Sequence, residues 1–479
     1  MRLLVLFCVF LDLVGVLQAA PTSTTTTDSA EAPSFRTRTI WAIISSCVLT
    51  LFACIYSAIH PNIPSPKDSP LRILRRQLGI MIMALIAPEL IVTWAMRQWI
   101  SARRVTRQFK DSRYPSVRPE SEDHRSIEAT AEKYVEDHDS TRLLVAHPEV
   151  PTSRYEGTHT LAKPFKKLFK AYVSEQTEDY TWTQMHSFFV LMGGFMLYVD
   201  GKPYRTLQPD HILKLTRKEC IDVPTLTEKQ IHDRSKGNAI SKGLVLLQVA
   251  WFVMQLITRA IYHLETTQLE AGTLAFAVLN FLTYALWWNK PLDVQCPHPV
   301  YWKSTESRPE DHIDVGEIDE FVLVFGILAP VFRPILELIG LSDTHTSRKL
   351  RVPTFDGSIN LEDSDTTILL LAGLFMATIF GGIHCMAWFF AFPTYQEQVL
   401  WRMSAVAITF TPWLCFLVKL SPKSALTVMQ VVYALIILVS VILYITARAV
   451  LLVLMFTTLR NLLSDAYKAV WWTSLVPHL

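Results

Sequence analysis

Runs of about 20 apolar residues, separated by strongly charged stretches, constrain this chain more than any other feature. A helix rises about 1.5 Å per residue, so a run of that length crosses a hydrocarbon core about 30 Å thick. Five runs meet the requirement: Ile40 to Ile59, Gly243 to Tyr262, Ala271 to Trp288, Ile368 to Phe390 and Val428 to Ala447. A sixth, Met403 to Val418, is shorter and holds Pro412. A seventh, Leu78 to Met96, carries Pro88-Glu89 at its centre. An intramembrane glutamate costs a few kcal/mol unless it is paired or protonated. This segment either spans, re-enters or lies along the inner leaflet. The expected fold class is all-α: a polytopic transmembrane helix bundle with six to seven spans and short re-entrant or interfacial helices. His186 to Val199 and Phe321 to Leu341 are the short pieces, read as amphipathic surface helices or re-entrant segments.

Charged residues make up 18% of the 479, against about 25% in an ordinary soluble domain. The net charge of +2 points to no nucleic-acid partner. Seven cysteines include no CxxC pair and no Cys/His cluster with metal spacing, so neither a metal site nor a cofactor is expected. No HExxH, GxSxG, Walker or kinase signature occurs, and no catalytic residue is assigned. An enzyme is the less favoured reading. One acting on lipid would have only His384 and His186 to work with.

Residues 1–20 join a basic start, an apolar core and small residues, the pattern of a signal peptide. A Thr-rich lumenal tail follows at 21–38. Residues 39–104 hold the first span and the interrupted helix. The charged, aromatic-poor insert at 105–180 is expected to be disordered and cytoplasmic, and it is the place for a cytosolic protein partner. The main bundle occupies 181–479, with a cytoplasmic connection at 289–367.

Lys and Arg gather on the cytoplasmic side of membrane proteins. Arg97, Arg103, Arg104, Arg107, Lys110 and Arg113 begin one long connection, and Lys290, Lys303, Arg308 and Arg351 lie in the other. The turns holding Glu265, Glu270 and Glu397 carry no Lys or Arg. Both long connections are therefore expected inside, in a protein of the secretory pathway or plasma membrane whose surrounding partner is the lipid bilayer. Trp287 to Pro291 reads as an interfacial anchor with Lys290 facing the cytosol. Asp233 to Asn238 reads either as a headgroup-binding turn or as a helix cap.

The third span aligns Ser241, Gln248, Gln255 and Arg259 within about 40° of one face. The fourth aligns Thr273, Asn280, Tyr284 and Trp287, and the last aligns Tyr433, Ser440 and Tyr444. His384 sits in an apolar run beside the small-residue series Gly373, Ala377, Gly381 and Cys385. Gln248, Gln255, Arg259, Asn280, Tyr284, His384, Ser440 and Tyr444 are the candidates for a polar intramembrane path. The alternative is that they only fix helix packing. Two functions stay open: a transporter or channel-like protein, or a receptor, sensor or scaffold signalling through its cytoplasmic connections.

The stretches WTQMHSFFVLMGGF (Trp182 to Phe195), Asp233 to Glu265, LEAGTLAFAVLNFLTYALWWNKPLDV (Leu269 to Val294) and Ala87 to Arg104 resemble a family of uncharacterised fungal multi-pass membrane proteins. The resemblance implies membrane helices and transfers no chemistry.

Overall fold

The seven long apolar runs identified above lie on helix, but for a residue or two at their ends and a break at Ala87, in the computed structural model, which describes residues 35–112, 181–236, 239–303, 350–420 and 427–470, with Pro309 and Leu338 besides. The signal-like start, the bulk of the insert, and Phe321 to Leu341 apart from Leu338 lie outside these residues.

The bundle helices are α1 (Ile40–Ala58), α2 (Pro70–Ile86), α3 (Pro88–Asp111), α7 (Ala239–Ile261), α8 (Gln268–Leu286), α9 (Asp363–Met386), α10 (Tyr395–Leu420) and α11 (Thr427–Thr457). Between them stand the short helices α4 (Gln184–Leu191), α5 (Pro209–Arg217) and α6 (Glu228–Arg234). Side-chain caps start several of them. Thr39 accepts from the Ala42 amide, and Thr267 and Glu270 form a reciprocal capping box on α8. Among the described residues, α7 to α11 each hold a stretch long and apolar enough to cross a membrane, and α1 is a shorter apolar helix.

Helix α8 is the axis of the bundle and packs against α1, α3, α9 and α11. Of its apolar window 72% is buried, against 28–39% for the other four, so the outer helices turn apolar faces away from the molecule. Leu247, Phe375, Phe410, Leu417, Val439 and Val453 lie on those faces. The small-residue series on α9 serves two neighbours. Gly373 lies against Thr93 of α3, and Gly381 lies against Thr409 of α10. Without side chains there, the backbones approach closely.

Ala87 separates α2 from α3, and the two helices diverge by 114°. Pro88 explains the break: it lacks an amide hydrogen and disfavours helical geometry at the residue before it. Ala87 accordingly adopts φ −139°, ψ 71°.

The fold is mostly helical, but it carries two small sheets that hydropathy does not report. His186 to Val199 is not one helix. Helix α4 ends before Gly193, which takes φ +89°, and strand β2 (Phe195–Val199) follows. β2 pairs antiparallel with β3 (Lys202–Thr206) through a two-residue turn at Asp200-Gly201, both at positive φ. It pairs parallel with β4 (His298–Tyr301) on its other edge. This sheet and α4 to α6 form a layer at one end of the bundle. The second half of α3 docks onto it, with Phe109 stacked on Trp182 at 3.8 Å. Helix α3 thus runs to Asp111, past the expected start of the insert at 105, because Val105 and Phe109 are buried there.

At the opposite end β1 (Phe35–Thr37) pairs antiparallel with β5 (Lys468–Val470). The close of the expected Thr-rich tail is therefore structured. Arg38 anchors it on Glu270, with Nη1–Oε1 at 2.5 Å.

Candidate functional site

The break at Ala87 leaves the last carbonyls of α2 without helical partners, as every helix end does. Here they are deep in the bundle. Arg448 of α11 supplies the donors: Nε donates to the Ile86 carbonyl at 2.9 Å and Nη2 to the Leu85 carbonyl at 3.0 Å. Its guanidinium lies over the rings of Phe380 and Phe276, 4.5 and 5.3 Å from their centroids. The side chain has no exposure to solvent.

Glu89 opens α3 on the other side of the break, where the helix dipole favours a negative charge. The Tyr444 hydroxyl donates to its Oε1 at 2.6 Å. Its Oε2 is buried without a hydrogen-bond partner among the described residues. Fifteen residues of helix, about 22 Å, separate it from Arg104 at the charged end of α3. There Arg104 pairs with Glu362 and Asp365 at the start of α9.

His384 of α9 completes the group. Its Nδ1 lies 2.8 Å from the Phe380 carbonyl, which can only accept, so Nδ1 carries the hydrogen and Nε2 is the acceptor. Arg448 Nη1 stands 3.5 Å from that Nε2. The Trp401 indole donates to the His384 carbonyl at 3.0 Å and fixes the turn.

Only two of the eight residues expected to line a polar path, Tyr444 and His384, meet at this centre. Gln248 donates to the Thr50 hydroxyl at 3.2 Å and joins α7 to α1. Gln255 is half-buried on α7. Asn280 sits beside Cys54, its Oδ1 unpartnered among the described residues. Tyr284 packs edge-on against His60, and buried Ser440 bonds Cys415. Arg259 lies at the far end of α7, where it donates to the carbonyls of Glu265, Asp465 and Lys468. The side chain of Ser241 lies outside the described residues. One-face periodicity found polar stripes but not which stripes face each other. The Arg448 signal was available as a cation inside an apolar run, one turn beyond Tyr444.

Two expectations need correction. Lys290 does not face outward as an anchor: it is 2% exposed. A turn after α8, closed by the Lys290 amide on the Trp287 carbonyl, folds the side chain inward. Its Nζ donates to the His60 carbonyl at 2.6 Å and to Gln98 Oε1 at 2.8 Å. It lies over Trp287 and Trp94 at 4.4 and 5.1 Å. Burial, with Arg76 adding to it, pushes the Lys290 pKa well below the ordinary value. His186, offered as a lipid-chemistry candidate, is a capping residue with Nδ1 on Thr183 and Nε2 on the Leu226 carbonyl. In Asp233 to Asn238, Arg234 ends α6 and Lys236 pairs with Asp293 at 3.3 Å. Gly237 and Asn238 lie outside the described residues.

Gln98, Trp94 and Asn62 all donate to the Asp356 carbonyl, and Arg97 donates to that of Phe355. Gly357 takes φ +100° here, and a Cβ on it would lie 2.7 Å from the Gln98 amide nitrogen. The lower half of α3 is thus tied to the strap that leads into α9.

No curated protein and no solved structure matches this chain. A family model matches residues 5–143 and 164–311, more than half of its length, taking in Glu89 and α8 but not α9 to α11. The chain belongs to a family of unknown function (DUF8562).

Proposed function

We propose that this chain is a multi-pass integral membrane protein of transporter or channel-like type, and that the break between α2 and α3 is its working site. The observation that carries the reading is a buried carboxyl and a buried guanidinium on either side of an interrupted helix, enclosed by α8, α9 and α11. Interrupted helices with ionisable groups at the break mark solute sites in transporters, and polar groups inside the bilayer are costly unless they serve such a purpose.

The apolar outer faces of α7, α9, α10 and α11 support lipid as their solvent. The pairing of β1 with β5 supports six crossings, because it holds both ends of the described chain on one face. With α1 and α7 to α11 crossing, α2 and α3 enter and leave on the same side as a re-entrant pair. A seventh crossing would separate the strands. The basic residues of α3, with the β2–β4 layer, then face the cytosol. Glu270, Arg259 and the paired strands face outward, in line with the charge rule. An N-terminal signal and residence in the secretory pathway or plasma membrane are part of the same proposal and are compatible with this orientation. The sequence likeness to fungal multi-pass proteins is in keeping with it.

One observation favours a sensor as the second reading. Helix α3 runs unbroken from Glu89 to Phe109, so a change at the break reaches the cytosolic layer directly. A protein partner on residues 105–180 belongs to that reading, and crosslinking in whole cells tests it.

The transport reading is tested in proteoliposomes holding a pH-sensitive dye, under an imposed potassium potential. The wild type should conduct at least ten-fold more than Glu89→Gln, while Gln255→Leu should match wild type. Equal conduction by wild type and Glu89→Gln would remove the break from any path.

A further inference from the structure

Glu89 and Arg448 are the two halves of an ion pair that is not made. All polar contacts of Arg448 run to the carbonyls of Leu85 and Ile86 and to the His384 ring; no described carboxylate oxygen lies within 4.0 Å of it. Glu89 takes the Tyr444 hydroxyl on Oε1, its own backbone amide faces the carboxyl, and Oε2 has no described hydrogen-bond partner. An ionised carboxylate accepts at both oxygens. Enclosed without a paired cation it is strongly disfavoured, whereas the neutral acid needs far less. A neutral Glu89 with its hydrogen on Oε2 leaves one buried donor unpaired, a smaller cost than an unpaired carboxylate, and its carbonyl oxygen Oε1 is the atom that Tyr444 bonds.

We propose that Glu89 is a proton-binding site, and that loss of its proton draws Arg448 Nη1 away from His384 and onto Oε2. The proposal rests on the transport reading and names its ligand. In the step, the Oε2–H bond breaks and the proton passes to a water molecule reaching the break. The carboxylate then accepts from Nη1, the arm of Arg448 whose present bond is longest. The guanidinium is rigid and planar, so Nε and Nη2 move with Nη1 and loosen their bonds to the Ile86 and Leu85 carbonyls at the end of α2. The charged and titratable groups facing Glu89 are Tyr444 and Arg448 of α11. Behind Arg448 stands His384 of α9, while α8 offers the Phe276 ring and α2 its terminal carbonyls. Apart from that water, every partner the exchange needs is already within the centre. It moves the guanidinium of one side chain as a unit, and the charge of the pair stays balanced in the ionised state.

The test is infrared difference spectroscopy of the full-length protein in lipid nanodiscs, titrated between acid and alkaline buffer. Wild type should show the carbonyl band of a buried protonated carboxyl, lost at alkaline pH. Glu89→Gln should lack it while remaining monodisperse. Tyr444→Phe should keep it but shift it to higher frequency, since the bond to Oε1 is removed. Absence of the band from wild type at every pH, or its persistence in Glu89→Gln, would overturn the proposal. If the band behaves as described but proteoliposomes conduct no protons, the proton site stands and the transport reading fails.

Discussion

The Tyr444 hydroxyl donates to Glu89 across 2.6 Å and ties the middle of α11 to the first turn of α3. These residues are 355 positions apart, and each stands on a different apolar run. Among the described residues, theirs is the hydrogen bond that another side chain makes to the Glu89 carboxyl, so its removal leaves that buried acid with its own backbone amide alone.

Tyr444→Phe removes that donor and little else. Leaving a buried acceptor unsatisfied costs about 1–3 kcal/mol. Thermal unfolding in detergent should record a lower midpoint for this variant, whereas Tyr395→Phe, at the exposed start of α10, should leave it unchanged.

The close approach of α9 and α10 depends on Gly381. A Cβ there would lie 2.9 Å from the Thr409 Cα, a backbone atom that cannot swing aside. Gly381→Ala should destabilise by about 1–3 kcal/mol. Gly272→Ala meets only the flexible end of Met455 and should cost less. Gly382→Ala meets nothing within 4 Å and should stabilise by about 0.5–1 kcal/mol through helix propensity. The order of the three unfolding midpoints checks the packing of α9 on α10 and of α8 on α11.

Arg38 and Glu270 form a buried pair at the outer end of the bundle, with side chains 15% and 4% exposed. Arg38→Met leaves the Glu270 charge with weaker compensation and unpins β1. The expected loss is about 3 kcal/mol. Proteolysis near residue 36, followed over time, should speed up in parallel.

Much of the bundle could be read from the amino acids. The long apolar runs do form long helices, and Pro88 announces its own break. The charged centre was harder to see. Arg448 is held by the backbone carbonyls of Leu85 and Ile86, which carry no residue-type signature and lie more than 360 positions away. Glu89 stood out only as a cost, because its partner Tyr444 belonged to a stripe whose facing helix periodicity does not name. Lys290 follows a Trp pair at a helix end, the pattern of an interfacial anchor, and only the turn at Trp287 sends it inward. The parallel pairing of Phe195 with His298 joins segments about a hundred residues apart, beyond the reach of any local pattern.

Lys290 gives a pH dependence with a definite sign. Its folded-state pKa lies well below the ordinary lysine value because the amine is buried. The unfolded chain therefore binds a proton that the folded chain releases, in the window between the depressed value and about 10.4. Stability should rise with pH across that window, by up to about 1.4 kcal/mol per pH unit. Lys290→Met should remove this part of the slope. Denaturant midpoints of both proteins, measured from neutral pH to pH 10, check it.

The account as a whole depends on six crossings with a re-entrant pair between the first and second. Epitope tags inserted after residue 30, after residue 140 and after the C-terminal Leu479, each in an otherwise intact chain, report it directly in sealed cells and in permeabilised ones. The first and third tags should be reached without permeabilisation and the middle one only after it. Termini found on opposite faces of the membrane, or all three tags equally accessible in both conditions, would contradict the account.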